Sequence, residues 1–141
     1  MSYIETSARY QRKDDNGKVK KVSERYLVDA LSVTEATAKT IEHIVAVDGE
    51  LDVTSAKMTN IVEIFGDKDA DKFYLAKVVF YTIDERSGAD MRKPSQWLIG
   101  ATDFNDAYEQ VLRAFNAITT ADPELTSLSE SAIVEFIQAN K

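Results

Sequence analysis

Residues 60–65 read NIVEIF, and residues 132–137 read AIVEFI, seventy-two positions further on. A chain of 141 residues that repeats an apolar phrase is most simply read as repeating the element that carries it. Working outward, an offset of 71 sets YIETSARY (3–10) on YLAKVVFY (74–81). It also sets Gly17 of DDNGK on Gly88 of ERSGA, and YLVDA (26–30) on WLIGA (97–101). One further inserted residue brings the two closing phrases into line at 72.

The helical stretches carry the same offset. Val33, Ala36, Thr37, Thr40, Ile41, Ile44 and Val47 follow the spacing of an amphipathic helix. Their counterparts are Phe104, Ala107, Tyr108, Val111, Leu112, Phe115 and Ile118. Each stretch opens on a capping residue with an acid three places later, Ser32 with Glu35 and Asp103 with Asp106. Such pairs satisfy the orphan backbone N–H groups of a helix start.

Each half therefore reads hairpin, helix, strand. The first hairpin spans about 2–12 and 18–30, turning at Asn16-Gly17, where a positive φ is required. A helix over 33–47 and a strand over 51–65 follow. The second half has strands near 73–84 and 93–101, a helix near 104–119, stopped ahead of Pro123, and a strand near 125–137. The predicted fold is α+β: one domain over 1–141, built from two tandem ββαβ repeats related by a pseudo-twofold. Repeat 1 covers about 2–65, repeat 2 about 73–137, and 66–72 is the linker. An antiparallel-rich sheet, or a closed pair of sheets, carries two helices on a face. FYLAKVVFYTI (73–83) is apolar on both pleat faces except at Lys77, so that strand is expected to be central or covered by a partner subunit.

Composition excludes several classes. There is no cysteine, which removes disulfides, thiolate metal sites and cysteine nucleophiles, and fits a cytoplasmic location. No apolar run is long enough for a membrane helix, and the first residues lack the basic-then-apolar pattern of a secretory signal. Net charge is −7, yet residues 1–30 hold seven Lys/Arg against five Asp/Glu. A locally basic hairpin thus sits on an acidic chain.

Catalytic signatures are absent: no GxSxG, no phosphate-binding glycine loop, and a single histidine, His43, off the apolar stripe of its helix. Asp67, Asp69 and Asp71 are spaced like the start of a calcium loop, but Lys72 and Val78 stand where that loop needs Gly and Glu. No metal or cofactor is expected. Glu63 and Glu135 occupy matching places in the echo and could face each other as paired carboxylates; but a lone Glu between apolar neighbours is what a half-exposed strand shows in any case, and that is the preferred reading.

The first hairpin is the candidate binding surface. Arg9, Arg12, Lys13, Lys18, Lys20, Lys21 and Arg25 gather there with Tyr3, Tyr10 and Tyr26. Cations interleaved with aromatic rings suit phosphates and stacked bases. Lysines that protect an edge strand from aggregation are the alternative.

KKVSERYLVDALSVTEA (20–36) and YTIDERSGAD (81–90), with the phrases NGK, YLVDALS, TEA and DERSGA, give the chain a resemblance. It resembles an uncharacterised family of domains of unknown function from Bacteroidetes bacteria and their phages and mobile elements. That resemblance implies a small intracellular protein of bacterial or phage origin. It assigns no activity and no site residue.

The expected function is that of a non-catalytic binding protein acting through the basic hairpin or a cleft between the repeats. Arg9, Arg12, Lys18, Lys20, Lys21, Arg25, Tyr10 and Tyr26 would meet single-stranded nucleic acid or a nucleotide. Alternatives are a protein-interaction module or inhibitor of host machinery, and an enzyme using Glu63, Glu135 or His43. A homo-oligomer without membrane association is expected.

Overall fold

The computed structural model describes residues 2–44, 50–118 and 121–138. Within these residues the order is β1 (Ser2–Lys13), β2 (Val19–Ala30), α1 (Val33–His43), β3 (Asp52–Met58), β4 (Ile61–Gly66), β5 (Lys72–Ile83), β6 (Asp90–Ala101), α2 (Phe104–Asn116), β7 (Asp122–Glu130) and β8 (Ile133–Ile137). The protein is α+β, as the sequence predicts. The sheet is divided, however: one runs β3-β1-β2-β8 and the other β4-β6-β5-β7, each with its own helix.

The strands expected over 51–65 and 125–137 each break in two. After β3, Thr59 directs both its amide and its hydroxyl to the Tyr3 carbonyl, at 3.1 and 2.7 Å. After β7, Ser131 donates its amide to the Phe73 carbonyl at 2.8 Å. Each anchor ends a strand on its own sheet. The residues that follow, NIVEIF and AIVEFI, then pair elsewhere.

The closing strands are exchanged. β4 lies parallel to β6, and β8 lies parallel to β2. The chain accordingly forms two units: residues up to Thr59 with those from Ala132 on, and residues 60–131. The sequential repeats 2–65 and 73–137 are therefore not the compact bodies, because each gives its last strand to the other. Glu63 pairs in register with Trp97 and Glu135 with Tyr26, the same position in both units.

The repeat relation also changes in detail. β1 maps on β5 from Ser2 to Lys72, an offset of 70, whereas β2 maps on β6 from Val19 to Asp90, an offset of 71. The extra residue lies in the second hairpin loop: the Asp14 amide closes on the Lys18 carbonyl, but the Asp84 amide on Ala89. Each aspartate also accepts from loop amides or hydroxyls, and Gly17 and Gly88 take positive φ at 79° and 69°. Because strand side chains alternate, the one-residue correction moves every side chain of β5 to the other face. Tyr3 corresponds to Phe73 and Tyr10 to Phe80, not to Tyr74 and Tyr81.

The first unit buries Ile4, Ala8, Tyr10, Tyr26 and Val28 with Ala36 of α1. The second buries Tyr74, Ala76, Val78, Trp97 and Ile99 with Ala107 and Val111 of α2. Both helices begin on the predicted caps: Ser32 and Asp103 accept the amides of Glu35 and Asp106 at 3.1 and 2.8 Å. Helix α1 is shorter than the sequence suggests, since Ile44 is already an extended C-cap; Val47 and residue 119 lie outside the described residues. β5 is an interior strand of its sheet, as its apolar character requires, but so is β1.

Candidate phosphate-binding surface and polar network

β1 and β2 pair in an unbroken antiparallel register from Ser2↔Ala30 to Lys13↔Val19. Alternation then assigns each hairpin cation to a face. The face toward α1 carries Ile4, Thr6, Ala8, Tyr10 and Arg12 beside Lys20, Val22, Glu24, Tyr26 and Val28. The opposite face is buried at Leu27 but open toward the turn, and this open face carries Arg9, Gln11 and Lys13 beside Lys21, Ser23 and Arg25. The eight predicted site residues do not form one patch. Arg9, Lys21 and Arg25 share the open face, Arg12 and Lys20 lie on the other, and Lys18 is in the turn.

On the open face, Arg9 stands opposite Ser23, with Lys21 and Arg25 diagonal to it on either side. Such diagonal neighbours are about 7–8 Å apart at the backbone, within mutual reach of long side chains. All three are exposed, and none makes an ion pair within 4.0 Å among the described residues. Asp52 is the register neighbour of Arg9 on β3. A depression of about 300 Å³ opens there, lined by Arg9, Gln11, Lys21, Glu50 and Asp52.

On the helix side, the expectation of stacking tyrosines meets a different arrangement. Tyr10 and Tyr26 are buried, at 2% and 3% exposure, and both hydroxyls donate to the same oxygen of Glu24. Arg12 donates to the Tyr10 hydroxyl at 2.6 Å, and its guanidinium lies 5.3 Å from the centre of the Tyr10 ring. Buried phenols need partners, and Glu24 supplies them. Burial first, then the Glu24 carboxylate, raises the Tyr10 pKa; burial and the same carboxylate raise that of Tyr26 further. These two rings are internal and cannot offer their faces to a base.

The network continues to the end of α1. The Tyr26 ring meets His43 edge-on at 6.0 Å, and His43 is within ion-pairing contact of Glu135 on β8. His43, Glu135, Lys39, Glu42 and Gln138 line a depression of about 430 Å³. The corresponding positions in the second unit, through the offsets above, are Phe80, Ser95, Trp97 and Ala114. There Trp97 packs against Phe65, Phe80 and Phe115 at centroid distances of 4.9, 6.0 and 5.7 Å. One unit is aromatic and apolar where the other is phenolic and charged.

Glu63 is exposed on β4, while Glu135 is engaged by His43. Asp67 and its neighbours form a turn in which Asp67 Oδ1 accepts the Asp69 amide at 2.9 Å. Among the described residues no three His, Asp or Glu side chains are grouped to hold a metal ion. No described helix is long and apolar enough to cross a membrane. Sequence reasoning missed the His43–Glu135 and Tyr10–Glu24–Tyr26 contacts. Tyr10, Glu24 and Tyr26 were recoverable from the hairpin register alone; Glu135 was not.

The chain belongs to the DUF4494 family, a domain of unknown function, whose model matches residues 2–139. No curated protein and no solved structure matches the chain.

Proposed function

We propose that this protein is a non-catalytic binding protein that engages the phosphates of single-stranded nucleic acid or of a nucleotide through the open face of its first hairpin. The observation that carries the reading is the strip Arg9–Lys21–Arg25: three exposed cations on one pleat face, without an ion pair among the described residues, with Ser23 and Gln11 between them as neutral donors. Unpaired guanidinium and ammonium groups are the side chains that meet phosphate oxygens. The strip belongs to one repeat only. Its counterparts in the second unit are Val79, Arg92 and Gln96, so duplication of the fold did not dictate it. A cysteine-free chain working in the cytoplasm of a bacterium or on behalf of a phage fits this reading.

The test is a fluorescence anisotropy titration of a labelled single-stranded oligonucleotide of about 20 bases, in parallel with one of ATP, monitored by calorimetry. Binding is expected to weaken as salt rises and to be lost in the Arg9→Gln/Lys21→Gln/Arg25→Gln variant. Undiminished affinity in that variant would remove the hairpin from the account.

A further inference from the structure

The depression beside Arg9 and Lys21 has a counterpart in the second unit. There Tyr81, Ile83, Asp90, Met91, Arg92 and Asp122 line a depression of about 430 Å³ at the turn end of the β5–β6 hairpin. Through the offsets of 70 and 71, Tyr81 takes the place of Gln11 and Arg92 that of Lys21. Tyr81 lies on the face away from α2, because Tyr74, Ala76 and Val78 alternate toward that helix. It is 42% exposed, and it is the only exposed aromatic residue among the described strands. Arg92 stands directly opposite it on β6, exposed and without an ion pair among the described residues.

We infer that this depression is a base-stacking subsite for single-stranded nucleic acid, taking a base that carries an exocyclic amino group. The inference rests on the phosphate-binding reading of the first hairpin, and it supplies the open ring that the buried Tyr10 and Tyr26 cannot. An unpaired base lies on the Tyr81 ring, with Ile83 beside it on the same pleat face. Residues opposed across an antiparallel pair stand about 4.5–5.5 Å apart at Cβ, so the Arg92 guanidinium reaches that base or its own phosphate. Asp122 pairs with Tyr81 on β7, and Asp90 with Ile83 on β6. Their carboxylates accept hydrogen bonds from an amino group such as N4 of cytosine, and repel the carbonyl oxygen that uracil carries in its place. They also repel a bare phosphate. The second hairpin thus takes a base where the first takes phosphates.

Anisotropy titrations with labelled oligodeoxycytidine and oligodeoxyuridine of about 20 bases, at mildly alkaline pH, test this. The two strands differ only in the amino group. The wild type is expected to prefer the cytidine strand, and Asp122→Ala to lose that preference. Tyr81→Ala should weaken binding by about tenfold without changing its salt dependence, since stacking releases no counterions. Tyr81→Phe keeps the ring and should bind as the wild type does; circular dichroism verifies that each variant is folded. Equal wild-type affinity for the two strands, or undiminished affinity in Tyr81→Ala, would overturn the subsite. Loss of binding in Arg9→Gln/Lys21→Gln/Arg25→Gln, with Tyr81→Ala unaffected, removes the subsite alone. Absence of wild-type binding to either strand removes both it and strand binding by the first hairpin.

Discussion

Thr6 on β1 and Thr40 on α1 join their hydroxyls at 2.8 Å in the closed interior of the first unit, and both side chains are fully buried. Thr40 also donates to the Ala36 carbonyl at 2.9 Å, so Thr6 is the donor of the pair. The same two places in the second unit hold Ala76 and Val111. The fold therefore accepts either a satisfied polar pair or an apolar one, but not half of each. Thr40→Val alone strands the Thr6 hydroxyl and is expected to cost about 1–3 kcal/mol. Thr6→Ala/Thr40→Val restores the apolar solution and should recover most of that loss. Chemical denaturation of Thr6→Ala, Thr40→Val and the double variant checks this; a double variant as unstable as the sum of the two singles would refute the equivalence of the units.

Glycine at position 100 is set by a close approach. A Cβ there would stand 1.8 Å from the Asp67 carbonyl oxygen, a main-chain atom, so the backbone itself would have to move. At Gly17, by contrast, a Cβ meets nothing within 4 Å, and only its φ of +79° resists substitution. Gly100→Ala should cost more than about 3 kcal/mol, and Gly17→Ala about 1–2 kcal/mol. Urea midpoints order the two; comparable losses would contradict the β6 packing.

The buried phenols give the first unit a pH dependence at the alkaline end. The folded pKa of Tyr26 is raised above the ordinary 10.0, so its contribution is fully present below pH 10. It is lost as pH rises past that value, because the unfolded chain then releases a proton that the fold retains. Above pH 10 the slope approaches about 1.4 kcal/mol per pH unit for this group. Tyr26→Phe should therefore flatten the alkaline fall in stability between pH 10 and 11. An unchanged slope would show that Tyr26 ionises freely in the fold.

The pair His43–Glu135 has both side chains more than a third exposed, at 38% and 46%. Partial exposure screens such a pair, and exposed ion pairs contribute little. His43→Ala, which installs the residue found at Ala114, is expected to change stability by less than about 1 kcal/mol. A loss several times larger would mean that the pair anchors β8.

What was legible in the sequence follows from what is local. Caps such as Ser32–Glu35 are satisfied within one turn, and they appear where the pattern sets them. The phrases NIVEIF and AIVEFI marked equivalent strands because both lie on a parallel edge with Ile61, Ile64, Ile133 and Phe136 buried. Their exchange between units was not legible, since pairing partners are chosen by tertiary packing and leave no trace in the strand's own residues. The offset of β1 was misread because Tyr3/Tyr74 and Tyr10/Tyr81 match by identity, whereas the fold matches Tyr10 with Phe80 by burial. Clustering of hairpin cations in sequence likewise concealed that Lys20 and Lys21 point to opposite faces.

That last contrast gives the most direct test of phosphate binding. Lys21, on the open face, makes no ion pair among the described residues; Lys20, its neighbour, lies on the other face, 3.8 Å from Asp14. Oligonucleotide affinity is measured against salt for the wild type, Lys21→Gln and Lys20→Gln. Each phosphate contact to a single strand contributes about −0.7 to the slope of log affinity on log salt. Lys21→Gln should reduce the slope by about that amount, and Lys20→Gln should leave it unchanged. Equal slopes for all three proteins, or a larger change from Lys20 than from Lys21, would contradict binding through the open face.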